Sequence, residues 1–133
     1  MPKVFTSETQ KIGEIGENIA CKFLVKQGFL VLDRNYTKKW GEIDIVAEKQ
    51  NKLYFIEVKS VSRDLNVSHG TDMWRAEDNM HPWKIKRMSR TIQTYLLSKK
   101  IPDEKEWQVD LLVVYLDIKN KKAKIKKIQD LVL

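Results

Sequence analysis

Residues 40–60 read WGEIDIVAEKQNKLYFIEVKS, and this stretch decides the fold. Its two arms, residues 41–47 and 53–60, are rich in β-branched and aromatic side chains and alternate with period two, which predicts two strands. Gln50 and Asn51 supply a short polar turn between them. The stretch is therefore predicted to be an antiparallel hairpin.

The length of the turn sets the register of this hairpin. If Lys49 pairs with Lys52, four charged residues share one face in two opposed pairs, Asp44 with Glu57 and Glu42 with Lys59. Apolar residues nearer the turn extend that face: Val46, Leu53 and Phe55. The other face is predicted to be apolar: Ile43, Ile45, Ile56 and Val58.

Two carboxylates directly opposite each other repel, by roughly 0.2–1 kcal/mol in an exposed pair and by more where water is excluded. A hard cation held between Asp44 and Glu57, with a lysine close by, would offset that cost. A solvated network of ion pairs at the end of the sheet is the alternative, because such networks often resemble functional sites. The hairpin alone leaves both interpretations open.

Composition is that of an ordinary globular protein. The chain has 133 residues, of which 42% are hydrophobic and 32% charged, and is predicted to form one domain over residues 1–133. The single cysteine, Cys21, fits a reducing compartment, and no leader-like or bilayer-spanning run is present, so we expect a cytoplasmic protein without a membrane partner. A net charge of +7 favours a polyanionic partner, most simply nucleic acid.

Periodicity and capping signals predict a first helix ahead of the hairpin. It begins after Ser7, which has capping-box spacing to Gln10, and ends at Gly28. Gly13 and Gly16 are poor helix formers, so we expect them to permit close packing against the sheet.

The remaining elements complete an α/β pattern. We predict a strand over residues 29–35, a helix over 82–100, a buried strand over 107–116 and a lysine-rich edge strand over 123–128. The helical crossover makes the buried strand parallel to its neighbour. The order αβββαββ therefore predicts a central mixed five-stranded sheet flanked by helices. Residues 62–80 follow no regular pattern, and a loop of that length is usually functional or mobile.

Positive charge is concentrated at the start of the second helix, on Lys84, Lys86, Arg87 and Arg90. A helix N terminus with extra cations is a natural phosphate site. A solvated basic face explains the same residues equally well. Arg63 and Arg75, in the long loop, would add to a nucleic-acid contact surface.

The order of elements, with an acidic residue in the second strand and Glu-x-Lys in the third, resembles the PD-(D/E)XK nuclease superfamily of the restriction-endonuclease-like fold. Within it, the chain resembles the YraN family of bacterial proteins, relatives of the archaeal Holliday junction resolvases. The matching motifs are Gly-x-x-Gly-Glu-x-x-Ala over residues 13–20, Asn35, Gly-Glu-Ile-Asp over 41–44 and Phe-Ile-Glu-Val-Lys over 55–59. Ile43 stands where the superfamily has proline, and residues 62–81 depart from the usual pattern.

This resemblance implies a three-layer α/β fold and a metal-dependent endonuclease. Asp44 and Glu57 would hold Mg²⁺ or Mn²⁺, with the Val58 carbonyl and Glu17 as further ligands. Lys59 would orient or activate the attacking water. The implied substrate is DNA, with branched or structured DNA as a candidate, and the implied assembly by analogy is a homodimer.

Two other functions remain open at this stage. One is a nucleic-acid-binding module that keeps the nuclease fold without turnover. The other is an adaptor whose partner surface carries Trp74 and Trp83.

Overall fold

The computed structural model describes residues 7–63 and 82–132, apart from the side chains of residues 82–85. These residues form two helices and five strands: α1 (Glu8–Lys26), β1 (Leu30–Lys38), β2 (Gly41–Lys49), β3 (Lys52–Ser62), α2 (Pro82–Ser98), β4 (Trp107–Asp117) and β5 (Lys122–Ile128). The α/β class and the predicted order of elements are confirmed. None of the helices described here is long and apolar enough to cross a bilayer. Of the predicted loop over residues 62–80, Ser62 instead ends β3, and residues 64–80 lie outside the described residues.

The sheet is mixed, with strand order β1-β2-β3-β4-β5. β3 and β4 run parallel, as the crossover through α2 requires, and the other neighbouring strands are antiparallel. β4 is buried along most of its length, as expected for a central strand covered on both faces, whereas β5 is largely exposed at the edge.

Each helix covers one face of the sheet, which makes three layers. On one face, Ala20 and Leu24 of α1 pack against Ile45, Ile56 and Leu112. On the other face, the apolar stripe of α2 packs against strand residues of a second cluster: Met88, Ile92 and Tyr95 against Val46, Phe55 and Val109. The burial of about twenty apolar side chains holds the layers together.

The termini of α1 are where the sequence predicts them. The Ser7 hydroxyl accepts a hydrogen bond from the Gln10 N–H at 3.1 Å and so satisfies one of the free donors of the first turn. At the other end, Gly28 adopts a left-handed conformation with φ of 91°, which suits the residue just past a helix.

The prediction for the two glycines within α1 is half right. A Cβ built at Gly16 would lie 2.8 Å from the Cβ of Ser60, so this glycine does permit close packing of α1 on β3. A Cβ at Gly13 would meet no described atom within 4 Å, so the same prediction for Gly13 is wrong. Gly13 lies on a side of α1 that lines a cavity rather than the core.

The face assignment of Ile43 is also wrong. Ile43 packs in the cluster under α2, whereas Ile45 packs in the cluster under α1. Residues two apart in a regular strand share a face, so β2 changes face at Asp44. Directly across on β1, Asn35 adopts a left-handed conformation with φ of 52° between two regular pairs. Asn35 and Asp44 therefore lie opposite each other between the regular pairs of β1 and β2.

Candidate functional site

The site begins where the β2–β3 ladder ends. The hairpin has the predicted register, with regular pairs from the turn to Ile45 opposite Ile56, so Asp44 and Glu57 are the next facing positions. In place of a further strand-to-strand bond, the Val58 N–H donates to Asp44 Oδ2 at 2.8 Å. The Asp44 carboxylate therefore lies against the backbone of β3, next to the residue that follows Glu57.

A cavity of about 1140 Å³ opens at this point. It is bordered by the first half of α1 and by the ends of β1, β2 and β3. All the residues predicted to bind metal or act in catalysis line it together: Glu17, Asp44, Glu57, Val58 and Lys59. The lining is acidic, because Glu14 and Glu42 join the predicted carboxylates and the cations among the lining residues are Arg34 and Lys59.

Electrostatics within the cavity centre on Asp44. Burial and the neighbouring Glu57 carboxylate raise the pKa of Asp44 from 3.8 to about 8, and they outweigh the hydrogen bond from the Val58 N–H, which acts in the opposite direction. Glu17 and Glu42 raise the pKa further. Glu57 itself is only 8% exposed. At neutral pH and without a cation, Asp44 therefore tends to keep its proton.

The donor set at this position suits a hard divalent cation. Asp44 and Glu57 supply carboxylate oxygens, and the Val58 carbonyl points towards the same neighbouring strand as its N–H, which is the side of Asp44. Among the described residues, no three acidic, histidine or cysteine side chains are gathered into a preformed metal cluster. A cation here would bind two carboxylates and keep several waters, which is the usual arrangement for Mg²⁺.

Glu17 reaches the cavity from α1 but is engaged by an arginine. Arg34 Nη2 lies 3.1 Å from Glu17 Oε1 and 2.8 Å from Asn18 Oδ1, so a single guanidinium ties β1 to α1 at the cavity wall. Arg34 was not among the predicted site residues. The pairing of β1 with β2 shifts by one residue between Val31 and Asp33, which forms a β-bulge. This bulge determines where Arg34 lies relative to α1. No sequence pattern signals it.

Residues 16–114 match the model of a family described as "Uncharacterised protein family UPF0102". The chain belongs to the UPF0102 family. A UPF0102 protein of Campylobacter jejuni is 41% identical over 106 residues, covering 80% of this chain and 85% of the relative. UPF0102 proteins of Campylobacter fetus and Campylobacter hominis are 39% and 35% identical, over 74% and 77% of this chain and 79% and 81% of the relatives. The predicted YraN-like family is confirmed.

In this member of the UPF0102 family, two of the predicted nucleic-acid-binding residues support the β1–β2 turn. Arg87 Nε donates to the Trp40 carbonyl at 2.9 Å, and the Arg90 guanidinium stacks on the Trp40 ring at 4.3 Å. Gly41 permits this close approach, since a Cβ there would lie 3.1 Å from the Arg87 carbonyl oxygen. α2 therefore anchors the turn that leads into the acidic end of β2.

The other predicted basic residues of the family member are more dispersed. Lys86 is exposed on α2, and the Arg63 guanidinium lies 5.1 Å from the centre of the Tyr115 ring. The Lys84 side chain and the whole of Arg75 lie outside the described residues. The described members of the predicted basic set do not line the acidic cavity. Their contact with nucleic acid stays a prediction.

Proposed function

We propose that this protein is a Mg²⁺- or Mn²⁺-dependent endonuclease of the PD-(D/E)XK superfamily that hydrolyses phosphodiester bonds in DNA. The observation that carries the proposal is the pair of carboxylates, Asp44 and Glu57, at the buried end of a hairpin inside a large open cavity. Burial and the facing Glu57 carboxylate raise the pKa of Asp44 to about 8, so the pair is unfavourable as two bare anions. A bound divalent cation would remove that conflict.

The roles of the side chains follow from their positions. Asp44 and Glu57 would hold the cation, whose chemistry is to polarise the scissile phosphate and lower the pKa of a bound water. Lys59 lies on the cavity wall two residues beyond Glu57, on the same face of β3. Its ammonium group would orient the attacking water or stabilise the charge that develops on the phosphate.

Glu17 and Arg34 form the opposite wall. Arg34 holds the Glu17 carboxylate at the α1 side of the cavity, where it could accept hydrogen bonds from water bound to the cation. Glu17 is thus better placed as a support for the cation's water shell than as a direct ligand. This arrangement refines the ligand role implied by the family resemblance.

A nucleic-acid-binding module without turnover is the second candidate. It is favoured by the pairing of Arg34 with Glu17, which partly neutralises one acid that a nuclease would direct to its metal. The net charge of +7 supports a polyanionic partner in either case.

The deciding experiment is cleavage of branched, flapped and single-stranded DNA in Mg²⁺ or Mn²⁺ by wild type and three variants. We expect Asp44→Asn and Lys59→Met each to lower the cleavage rate by about 10²-fold or more, since Asp44 would hold the cation and Lys59 would act on the developing charge. Lys52→Met is the matched control, because Lys52 lies on the same strand but outside the cavity lining. It should cleave like wild type.

Activity that survives in Asp44→Asn would refute the nuclease assignment. Binding of the same DNA in the absence of any cleavage, unaffected by Asp44→Asn, would establish the second candidate instead. Calorimetric titration of Mn²⁺ separates the metal step from the DNA step, because Asp44→Asn should lose Mn²⁺ binding whereas Lys52→Met should retain it.

A further inference from the structure

Gly13 is the glycine of α1 that packing among the described residues does not explain. Glycine is the poorest helix former after proline, so a glycine in a helix interior usually has a compensating contact. Gly16 has one, against Ser60 of β3. At Gly13 a Cβ would find no described atom within 4 Å, and the residue lines the acidic cavity. Its missing side chain leaves space open at the cavity wall.

A continuous face of α1 runs along this open space. Thr9, Gly13 and Glu17 follow each other at intervals of four residues, so they lie above one another on the helix, and Gln10 borders the same face. Gly13 is about 6 Å along the helix axis from Glu17, and Thr9 is about 12 Å away. The face therefore leads from the carboxylate site to the start of the helix.

The cavity is larger than a cation needs. A water molecule takes about 30 Å³ of liquid volume, so a hydrated cation accounts for a small part of about 1140 Å³. Thr9 and Gln10 have side chains of the kinds that contact phosphate oxygens and sugars in nucleic-acid complexes. The remaining volume leaves room for an extended polar ligand beside the carboxylate site, and Thr9 and Gly13 are among the residues that line it.

We propose that a DNA strand flanking the scissile phosphate lies along the Thr9–Gly13 face of α1, and that Gly13 is where its sugar–phosphate backbone contacts the helix. This inference rests on the proposed nuclease function and adds the path of the substrate. A glycine permits close approach of a ligand to the protein backbone, and any larger side chain at position 13 would occupy the path of the strand.

The test combines stability, Mn²⁺ affinity and DNA affinity in Gly13→Ala and Gly13→Gln. Both replacements are better helix formers than glycine, so the midpoint of thermal unfolding should rise. Binding of a fluorescently labelled single strand and a labelled four-way junction, measured by anisotropy with Ca²⁺ in place of Mn²⁺, should weaken. We expect a loss of at least about tenfold for Gly13→Gln and a smaller loss for Gly13→Ala, with a parallel fall in cleavage rate in Mn²⁺.

Val25→Ala is the matched control. Val25 is an exposed residue of α1 outside the cavity lining, and alanine is the better helix former there as well. This variant should gain thermal stability and keep wild-type DNA affinity and cleavage. Mn²⁺ affinity should be unchanged in all three variants, because none of them alters a carboxylate.

The outcomes separate this inference from the function on which it rests. If wild type cleaves DNA and Gly13→Gln binds and cleaves equally well, the substrate path is wrong while the nuclease function stands. A fall in the unfolding midpoint of Gly13→Ala, or a loss of Mn²⁺ affinity in Gly13→Gln, would show that position 13 acts through packing or the metal site and would also overturn the inference. If wild type neither binds nor cleaves DNA, the proposed function fails and the substrate path fails with it.

Discussion

Replacing Asp44 with asparagine isolates the energetic cost of the buried carboxylate pair. The variant keeps the shape of the side chain, and its amide oxygen can still accept the hydrogen bond that the Val58 N–H donates at 2.8 Å. It removes a charge that is disfavoured by burial and by the neighbouring Glu57, the two main causes that raise the pKa of Asp44 from 3.8 to about 8. Metal-free wild type should therefore be less stable than the variant at high pH.

The sign follows from proton linkage. Between about pH 4 and pH 8 the folded protein binds a proton at Asp44 that the unfolded chain has released, so the free energy of unfolding of wild type falls as the pH rises through this range. A change in pKa from 3.8 to about 8 corresponds to about 6 kcal/mol. Water that enters through the open cavity screens part of this cost, so we expect Asp44→Asn to exceed wild type by about 2–3 kcal/mol at about pH 9.

Urea denaturation in EDTA over a series of pH values measures this difference directly. The advantage of Asp44→Asn should grow from about pH 4 to about pH 9 and level off above that. Asp103→Asn is the control, since it neutralises an exposed carboxylate outside the cavity lining and should show no such trend. Repeating the series with Mn²⁺ should stabilise wild type and not the variant. A variant no more stable than wild type at high pH in EDTA would refute the claim that the two carboxylates oppose each other.

Three further substitutions test the supports of the site. Gly16→Ala places a Cβ against Ser60 and should lower the free energy of unfolding, measured by urea denaturation, by about 1–3 kcal/mol. If adding Ser60→Gly to this variant fails to restore stability, the contact with Ser60 is not the cause of the loss. Arg34→Gln should change stability by less than about 1 kcal/mol, because the ion pair with Glu17 is only partly buried. Calorimetry should show a few-fold gain in Mn²⁺ affinity, because removing a positive charge from the acidic cavity outweighs the loss of the hold on Glu17; weaker binding would contradict this. Gly28→Ala should lower the free energy of unfolding by about 1 kcal/mol or more, because a φ of 91° is strained for any residue with a Cβ. An unchanged midpoint of thermal unfolding would refute this backbone strain.

The hairpin register could be predicted because a short turn and period-two patterning leave little freedom. Once Lys49 faces Lys52, every pair up to Ile45 and Ile56 follows by counting, and the structure has these pairs. The helix caps were predictable for the same reason, since Ser7 acts through a contact three residues away. The hairpin register and the helix caps depend on contacts between residues close in sequence, so they can be predicted from the sequence.

The features that the sequence did not predict depend on contacts between distant segments. The change of face at Asp44 needs the irregular Asn35 on the neighbouring strand, and Arg34 reaches Glu17 because of a register shift earlier in β1. Arg87 could equally have been a solvated cation or a phosphate contact until the position of the β1–β2 turn was known. Each of these outcomes is decided by tertiary geometry, which periodicity and propensity do not contain.

Under the proposed function, the charge distribution would give the metal a role in substrate entry as well as in chemistry. The protein carries a net charge of +7, and exposed lysines line the edge strand β5, yet the cavity itself is lined by five acidic residues and two basic ones. Neighbouring strands are about 5 Å apart, so β5 lies about 10 Å from β3, which is close to the Debye length at physiological salt. A DNA strand drawn to the surface by its net charge would therefore still meet repulsion at the cavity. Under the proposed function, a divalent cation bound at Asp44 and Glu57 offsets part of that repulsion, so cation and DNA should each raise the affinity for the other by the same factor.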